Sequence, residues 1–426
     1  MTRIEPTNVI MDTKERYKIH NILLYLVLAA VCILVTNLAT DVIAQANGAI
    51  DRGTITFRNL FGDMVVVGTK AFHFSPKTVS AISIVILELT FVAISQYYFL
   101  KSVKTSSDYV KFLSLACIVF AAGPYNPVSG HIYSGVGGIN TWHNATSFAV
   151  KPFLVLSFFL FQKILDLSDK DKPDRIIDKK GYKCDAFILS GILLAVSLYV
   201  MTCGKISGLT LIAPAAFVYL VYRWIRSKFS MVTFRRFLFI GCMFIPALCV
   251  FVVKLFHFFP LNADVGESQI VFVGLSRILS SEFPSILYKS CWPLMFPIYM
   301  FIVRYKSQIK NRGVGICWLM YASAFIQRFM FMEVGPRAGH GNSSWGSHYA
   351  VLILIIVSLI ELANYAVEIQ CTKDIKVLFK EKRYKEILFS KDVILCLIGY
   401  IFLIYYLISG IIFVMKYLYI GSYGGI

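Results

Sequence analysis

Residues 349–362 read YAVLILIIVSLIEL, and every one of them except Ser358 and Glu361 is apolar or aromatic. Similar runs occupy residues 22–35 and 192–201, with charged segments between the runs. Of the 426 residues, 57% are hydrophobic and 15% are charged, and the mean hydropathy is +0.68. Soluble domains average about 45–50% apolar and about 25% charged residues. This pattern excludes a soluble enzyme, a disordered chain and a secreted disulfide scaffold, and it predicts an all-α, polytopic integral membrane protein.

Eleven apolar segments are predicted to be transmembrane helices: 21–38, 79–100, 112–124, 149–165, 186–202, 209–222, 237–258, 284–303, 314–332, 349–369 and 393–420. If the N-terminus is cytoplasmic, the six inside segments hold 29 Lys and Arg residues and the five outside segments hold 7. Cytoplasmic loops accumulate basic residues, so this split predicts that the N-terminus lies inside and the C-terminus outside. We expect one membrane domain, 1–426, with functional outer loops at 39–78, 125–148 and 333–348.

The net charge of +18 has a simple explanation in such a chain. The basic residues flank apolar segments, where they face anionic lipid, so we expect the bilayer as a partner and no nucleic acid. Most of the ten cysteines lie inside apolar runs, where cysteine behaves as a small hydrophobe. No CxxC or metal-ligand spacing occurs, so the sequence predicts neither a disulfide framework nor a metal site.

The unusual polar residues lie in the predicted outer segments. Residues 123–152 read GPYNPVSGHIYSGVGGINTWHNATSFAVKP, and residues 333–348 read EVGPRAGHGNSSWGSH. Trp142 and Trp345 offer flat apolar faces on which a sugar ring can stack. Arg337 can bind a phosphate with two parallel hydrogen bonds. The remaining candidate ligands for sugar hydroxyls are Asn140, Asn144, Asn342 and His348.

Three residues are candidates for the base that deprotonates an acceptor hydroxyl: Asp41, His143 and His340. The residues alone leave open which of them it is. Lys254 and Lys289 lie near the predicted outer ends of their spans, where together with Arg337 they can neutralise a lipid-linked pyrophosphate.

Each candidate also has a purely structural interpretation. Asp41 can cap a helix, the two tryptophans can be interfacial anchors, and the lysines can extend toward the membrane surface. Asn144 and Asn342 begin sequences of the Asn-x-Ser/Thr glycosylation type. Because the unusual residues converge on one predicted side of the membrane, we favour a functional site there.

The chain resembles two groups of membrane enzymes that use polyprenyl-linked sugars, the C-type glycosyltransferases and the bacterial O-antigen polymerases. The N-in topology, Asp41 at the first exit and the long first outer loop are similar to the C-type enzymes. In that family an acidic residue at this place acts as a base or metal ligand, so the resemblance implies that role for Asp41 and leaves a divalent metal open. The size, the number of spans and the outer loop with Arg337 and His340 are similar to the polymerases.

The function expected from these features is glycosyl transfer by an O-antigen polymerase-like enzyme of lipopolysaccharide assembly. Such an enzyme works at the outer face of the bacterial inner membrane with undecaprenyl-pyrophosphate-linked donor and acceptor glycans, and a chain-length regulator is a further expected partner. Three alternatives remain: a C-type glycosyltransferase that adds one sugar from a polyprenyl-phosphate donor, a flippase for lipid-linked oligosaccharides, and a membrane acyltransferase.

Overall fold

The structure is a computed structural model that describes residues 7–38, 40–103, 108–121, 144–169, 175–177, 183–258, 269–281, 283–335, 345–372 and 390–420. The helices are α1 (Thr7–Leu38), α2 (Thr40–Arg52), α3 (Leu60–Phe72), α4 (Pro76–Ser102), α5 (Asp108–Phe120), α6 (Ala145–Asp169), α7 (Ala186–Gly204), α8 (Ser207–Arg226), α9 (Met231–Cys242), α10 (Ile245–Phe258), α11 (Gly274–Ile278), α12 (Phe283–Cys291), α13 (Met295–Val303), α14 (Tyr305–Gln308), α15 (Arg312–Met330), α16 (Trp345–Thr372) and α17 (Lys391–Ile420). A 3-10 helix, Trp292–Leu294, joins α12 to α13. The strands are β1 (Arg175–Ile177), β2 (Lys183–Asp185), β3 (Gln269–Phe272) and β4 (Phe331–Val334).

The protein is an all-α multi-pass membrane protein, as the sequence predicts. Within the described residues, eight helical segments are long and apolar enough to cross a membrane, and the bent pair α9–α10 makes up to nine. Each of the eleven predicted segments overlaps a helix or a helix pair. Two of these, α5 and α15, are not among the nine. The thirteen residues of α5 extend about 20 Å, which is short for a bilayer core about 30 Å thick. Eleven spans and their orientation therefore remain predictions.

Contacts at the two ends of the bundle join segments that the charge pattern places on the same side. At the end where α6, α8 and α16 begin, called the upper end here, Lys254 reaches the last turn of α7 and Lys205 reaches Trp345. At the lower end, Arg312 at the start of α15 pairs with Asp166 and Asp169 at the end of α6, at 3.1 and 3.0 Å. The upper end corresponds to the predicted outside.

Two helices, α6 and α16, lie at the centre of the bundle. In the most apolar stretch of α6, 78% of the residues are buried inside the protein, and in that of α16 the share is 72%. The helix α6 packs mainly against α4 and α7, while α16 packs mainly against α15, α13, α17 and α8. The surrounding helices expose large apolar side chains such as Ile86, Val196 and Ile401. An apolar outer surface suits a lipid environment.

Short polar residues set where several of these helices begin. Asn144 accepts hydrogen bonds from the backbone at the start of α6, and Ser75, Asp185 and Asn311 do the same for α4, α7 and α15. Such caps satisfy N–H groups that have no partner inside the helix. The polar residue that precedes an apolar run is therefore the local signal for a helix start.

Helices and strands occur in several segments that lie between the predicted spans. The first outer segment contains α2 and α3, so Asp41 lies in the first turn of a helix and not in a loop. Trp345 and His348 lie in the first turn of α16, because the helix begins before the continuous apolar run does. Two antiparallel ribbons, β1–β2 and β3–β4, are the strands of the described residues.

A buried ion pair joins α4 to α6. Glu88 Oε1 contacts Lys151 Nζ, and the two residues are 0% and 1% exposed. The Lys151 ammonium also lies 4.9 Å from the ring centroid of Phe148 and 5.3 Å from that of Phe91. Charges in a low-dielectric interior are costly unless they are paired, so this contact holds the two helices in one register.

Removing one member of this pair should destabilise the protein far more than removing both. Because Glu88→Gln or Lys151→Met leaves a buried charge uncompensated, we expect each to cost about 3–5 kcal/mol. The double variant Glu88→Gln/Lys151→Met should recover a large part of that loss, as measured by unfolding in detergent.

The exposed pair between Glu368 and Arg304, 2.6 Å apart at the lower end, provides the control. Since Glu368 is 55% exposed, Glu368→Gln should cost less than about 1 kcal/mol. A double variant as unstable as the sum of the single variants would show that Glu88 and Lys151 are not coupled.

Candidate functional site

Three helices begin side by side at the upper end of the bundle. Ser147 Oγ in the first turn of α6 lies 3.1 Å from Tyr349 OH in the second turn of α16. A methyl group on Gly346 of α16 would lie 3.9 Å from the Ser207 carbonyl oxygen at the start of α8. The N-terminus of a helix carries a partial positive charge, which favours an anion nearby. At the start of α6, Asn144 already accepts hydrogen bonds from two of the backbone N–H groups.

A lysine and two aromatic side chains add to this positive end. Lys205 Nζ lies 3.5 Å from the ring centroid of Trp345. The rings of Trp345 and His348 follow each other on one face of α16, with their centroids 5.2 Å apart and tilted by 39°. Trp345 and His348 are buried, and Lys205 is half-buried. The ammonium occupies the face of the indole on which a sugar can stack, so stacking on that face requires Lys205 to move.

Lys254 fixes the position of the chain next to Lys205. Its Nζ donates hydrogen bonds to the carbonyl oxygens of Thr202 and Cys203, at 2.9 and 2.8 Å. These carbonyls belong to the last turn of α7, where backbone acceptors have no helical partner and a cation is favourable. In this structure Lys254 therefore holds the backbone of the turn between α7 and α8 in place through these two hydrogen bonds.

The first outer segment also reaches this turn. Cys203 Sγ and Tyr199 OH of α7 both donate hydrogen bonds to the Phe57 carbonyl oxygen, each at 3.1 Å. Phe57 itself has a φ of 52°, in the left-handed region. The helix α2, which carries Asp41, packs against α3, α4 and α6. The segment after the first span thus lies at the same end as Lys205 and Trp345.

Asn144 has a structural role at the edge of the site. Its Oδ1 accepts hydrogen bonds from Thr146 N at 3.0 Å, from Ser147 N at 3.3 Å and from Thr146 Oγ1 at 2.5 Å. This is the geometry of an N-cap, which explains why an asparagine followed by a threonine stands here. Its role as a sugar ligand remains a prediction.

Six other predicted site residues lie outside the described residues: Asn140, Trp142, His143, Arg337, His340 and Asn342. The side chain of Asp41 also lies outside them. The roles of these residues remain predictions.

Lys289 lies half-buried in the last turn of α12, which packs mainly against the 3-10 helix that follows it. The described contacts place Lys254, Trp345 and His348 at the ends of α7 and α16. The role of Lys289 as a phosphate ligand remains a prediction.

Two lysines went unassigned in the sequence interpretation. Lys205 is the single basic residue in the short segment 203–208 between two apolar helices, and that isolation is the signal that could have identified it. Lys151 lies beside Pro152 inside an apolar run, so its burial called for an acidic partner. The choice of Glu88 as that partner required the tertiary structure.

No group of three or more His, Cys, Asp or Glu residues that could hold a metal ion occurs in the described part of the chain. Eight cysteines whose side chains the structure describes are free thiols, at positions 32, 117, 203, 242, 249, 291, 317 and 396.

Comparison with solved structures found a likeness to this chain. No protein-family model matches the chain, and no curated protein matches it. Among solved structures, the chain is similar to ArnT. The ArnT of Cupriavidus metallidurans, bound to undecaprenyl phosphate, aligns with 94% of this chain and 75% of its own length, at 12% identity and a TM-score of 0.45. In the apo state the identity is 11% and the TM-score 0.44 over the same shares. ArnT is a C-type glycosyltransferase, the class that the sequence resembles. A likeness of this degree assigns no activity, substrate or site residue to the chain.

The close approach of α6 and α7 at the site predicts that Gly204 does not tolerate a side chain. A methyl group there would lie 3.2 Å from the backbone carbon and the Cβ of Ala149. We expect Gly204→Ala to force the helices apart and to cost about 1–3 kcal/mol, read as a lower melting temperature in detergent.

Gly315 in α15 is the matched control, because a methyl group on it would meet nothing within 4 Å. Gly315→Ala should be neutral or slightly stabilising, since alanine favours a helix over glycine. Equal melting temperatures for the two variants would contradict close packing at Gly204.

Proposed function

We propose that this protein is a membrane glycosyltransferase that moves a glycan from a polyprenyl-phosphate-linked donor to an acceptor hydroxyl at the upper end of the bundle. The observation that carries the proposal is the meeting of three helix N-termini with Lys205, Trp345 and His348. It combines a positive field for a phosphate with an aromatic face for a sugar.

The chemistry separates into two tasks. The bond between the sugar's anomeric carbon and the phosphate oxygen of the carrier breaks, and negative charge grows on the leaving phosphate. Lys205, Arg337 and the helix N-termini stabilise that charge, which is the electrostatic contribution. The acceptor oxygen forms the new bond to the anomeric carbon and loses its proton to a base. Asp41, His143 and His340 remain the candidates for that base.

Lys254 and Lys205 have different roles in this proposal. Lys254 holds the turn between α7 and α8 through two backbone carbonyls, so it positions Lys205. Lys205 lies over the face of the buried Trp345 in this structure. In the proposed complex Lys205 turns from that face to the donor phosphate, and the sugar takes its place on the indole. The donor phosphate and the donor sugar thus bind together.

Two versions of the reaction fit this site equally well. In a polymerase the donor is an undecaprenyl-pyrophosphate-linked repeat and the acceptor is a second lipid-linked repeat. In a single-sugar transferase the donor is a polyprenyl monophosphate. Both place the protein in the bacterial inner membrane, and the polymerase version adds a chain-length regulator as a partner.

Transport of a lipid-linked oligosaccharide is a second candidate. The 47° bend between α9 and α10 and the buried Glu88–Lys151 pair are features that transporters share, since broken helices and intramembrane charges mark their substrate paths. A flippase delivers its glycan unchanged, whereas a transferase forms a new glycosidic bond.

Deletion of the gene in a Gram-negative source should change the surface lipopolysaccharide. Collapse of the ladder on a gel to core plus a single repeat indicates a polymerase. A ladder with normal spacing that lacks one sugar or branch indicates a single-sugar transferase. Complete loss of the repeats with intact lipid-linked repeats trapped on the cytoplasmic side indicates the flippase and contradicts glycosyl transfer, as does an unchanged glycan.

Variants of the phosphate-binding residues should abolish function in the complemented strain. We expect Lys205→Met to reduce transfer about 10²–10³-fold, the size of effect seen for loss of one charge-stabilising donor, and Arg337→Ala to abolish chain growth. Both proteins should remain at normal levels in the membrane. Lys310, exposed at the lower end, is the matched control, and Lys310→Met should retain full activity. Full activity of Lys205→Met and Arg337→Ala would contradict these assignments.

A further inference from the structure

The ribbon β3–β4 is attached directly to the upper ends of two membrane helices. β4 follows the last residue of α15, and β3 leads through α11 to the start of α12. The strands pair antiparallel, with Phe272 opposite Phe331 and Val271 opposite Met332. A hydrogen bond from Val273 N to Met330 O, 2.9 Å long, joins the ribbon to the end of α15.

Apolar side chains are exposed on both faces of this ribbon. Successive side chains of a strand point to opposite faces, so Phe272 and Phe331 lie on one face and Val271 and Met332 on the other. Their exposed fractions are 67%, 39%, 37% and 38%. Beyond the ribbon, Leu279 after α11 is 85% exposed.

A ribbon surrounded by water would not be expected to expose apolar side chains on both faces. A ribbon that packs one face on a protein and turns the other to water alternates apolar and polar residues. Here five of the six exposed positions are apolar, with Gln269 at the end of the ribbon as the exception, while Glu333, the charged residue of the ribbon, is buried. The distribution is inverted relative to a water-exposed ribbon and suits an apolar surrounding.

The backbone of the ribbon limits how deeply the ribbon can enter a bilayer. A two-stranded ribbon has two open edges whose N–H and C=O groups need water or polar partners, and open edges do not occur in the hydrocarbon core. The boundary between headgroups and acyl chains satisfies both requirements, because water reaches the edges while apolar side chains enter the acyl region.

We propose that the ribbon β3–β4, together with Leu279, inserts into the headgroup–acyl boundary of the bilayer at the upper end of the bundle. It forms a lateral membrane anchor for α15 and α12. This inference does not depend on the proposed function.

Continuity with the lipid-facing surface favours a bilayer over a protein partner. Ile326, one turn before the ribbon on α15, is 53% exposed, and Leu287 on α12 is 37% exposed. The ring of Phe283 at the start of α12 meets that of Phe329 of α15 edge to face, with their centroids 5.4 Å apart. Exposed apolar side chains thus lie on both helices as well as on the ribbon, with exposed serines between the ribbon and α12.

The test uses Phe272→Trp in the full-length protein, reconstituted in phosphatidylcholine vesicles whose acyl chains are brominated either near the headgroup or at mid-chain. Emission of the parent protein with its five tryptophans is subtracted. We expect bromines near the headgroup to quench the fluorescence of the added tryptophan more strongly than mid-chain bromines do. Iodide in the water should quench it only weakly. Met332→Trp reports the other face and should behave alike, even if Phe272→Trp fails to fold.

Two further variants calibrate the depth. Ile401→Trp, on the exposed face of α17, should be quenched most by the deep bromines, and Lys310→Trp, in the exposed turn before α15, by iodide. The anchor is wrong if Phe272→Trp and Met332→Trp match Lys310→Trp, since the ribbon then lies in water. It is equally wrong if neither quencher reaches them, since another part of the chain or a second copy then covers the ribbon.

Discussion

Inside a helical bundle surrounded by lipid, the Glu88 carboxylate and the Lys151 ammonium each lie where water cannot solvate them, and either charge alone would be costly. Their contact therefore ties α4 to α6 in one rotation and one height. Because α6 is the most buried of the membrane helices, its placement determines where its first turn meets α7, α8 and α16. The candidate site is built on that meeting.

Helix ends supply most of the polar chemistry of the upper end. Three N-termini and the C-terminus of α7 meet there, and Lys254 satisfies the carbonyls of that C-terminus. In a membrane protein these backbone groups have few alternatives, since lipid offers them no hydrogen bonds. Lys205 is then held between the end of α7 and the face of Trp345. The helix geometry thus concentrates positive charge without a long basic segment.

The sequence predicted the class of the protein and the positions of its helices well, because both depend on local properties. A run such as residues 349–362 must be helical and buried in lipid or protein whatever surrounds it. Capping residues such as Asn144 and Asp185 are local signals as well. Where the prediction differed, the apolar runs did not mark the start of a helix. Asp41 lies in α2, a separate helix of mixed polarity, and Trp345 lies in the first turn of α16, which begins before its apolar run does.

Tertiary structure alone decided which of the polar residues meet. Lys205 stands 140 positions before Trp345, and Lys254 about fifty positions after the carbonyls that it binds, so no spacing rule connects them. The partner of Lys151 could likewise not be read from periodicity, because several helices carry an ionisable residue and only packing selects Glu88. Local periodicity determines where a helix lies along the chain, whereas contacts between helices depend on how whole surfaces fit together.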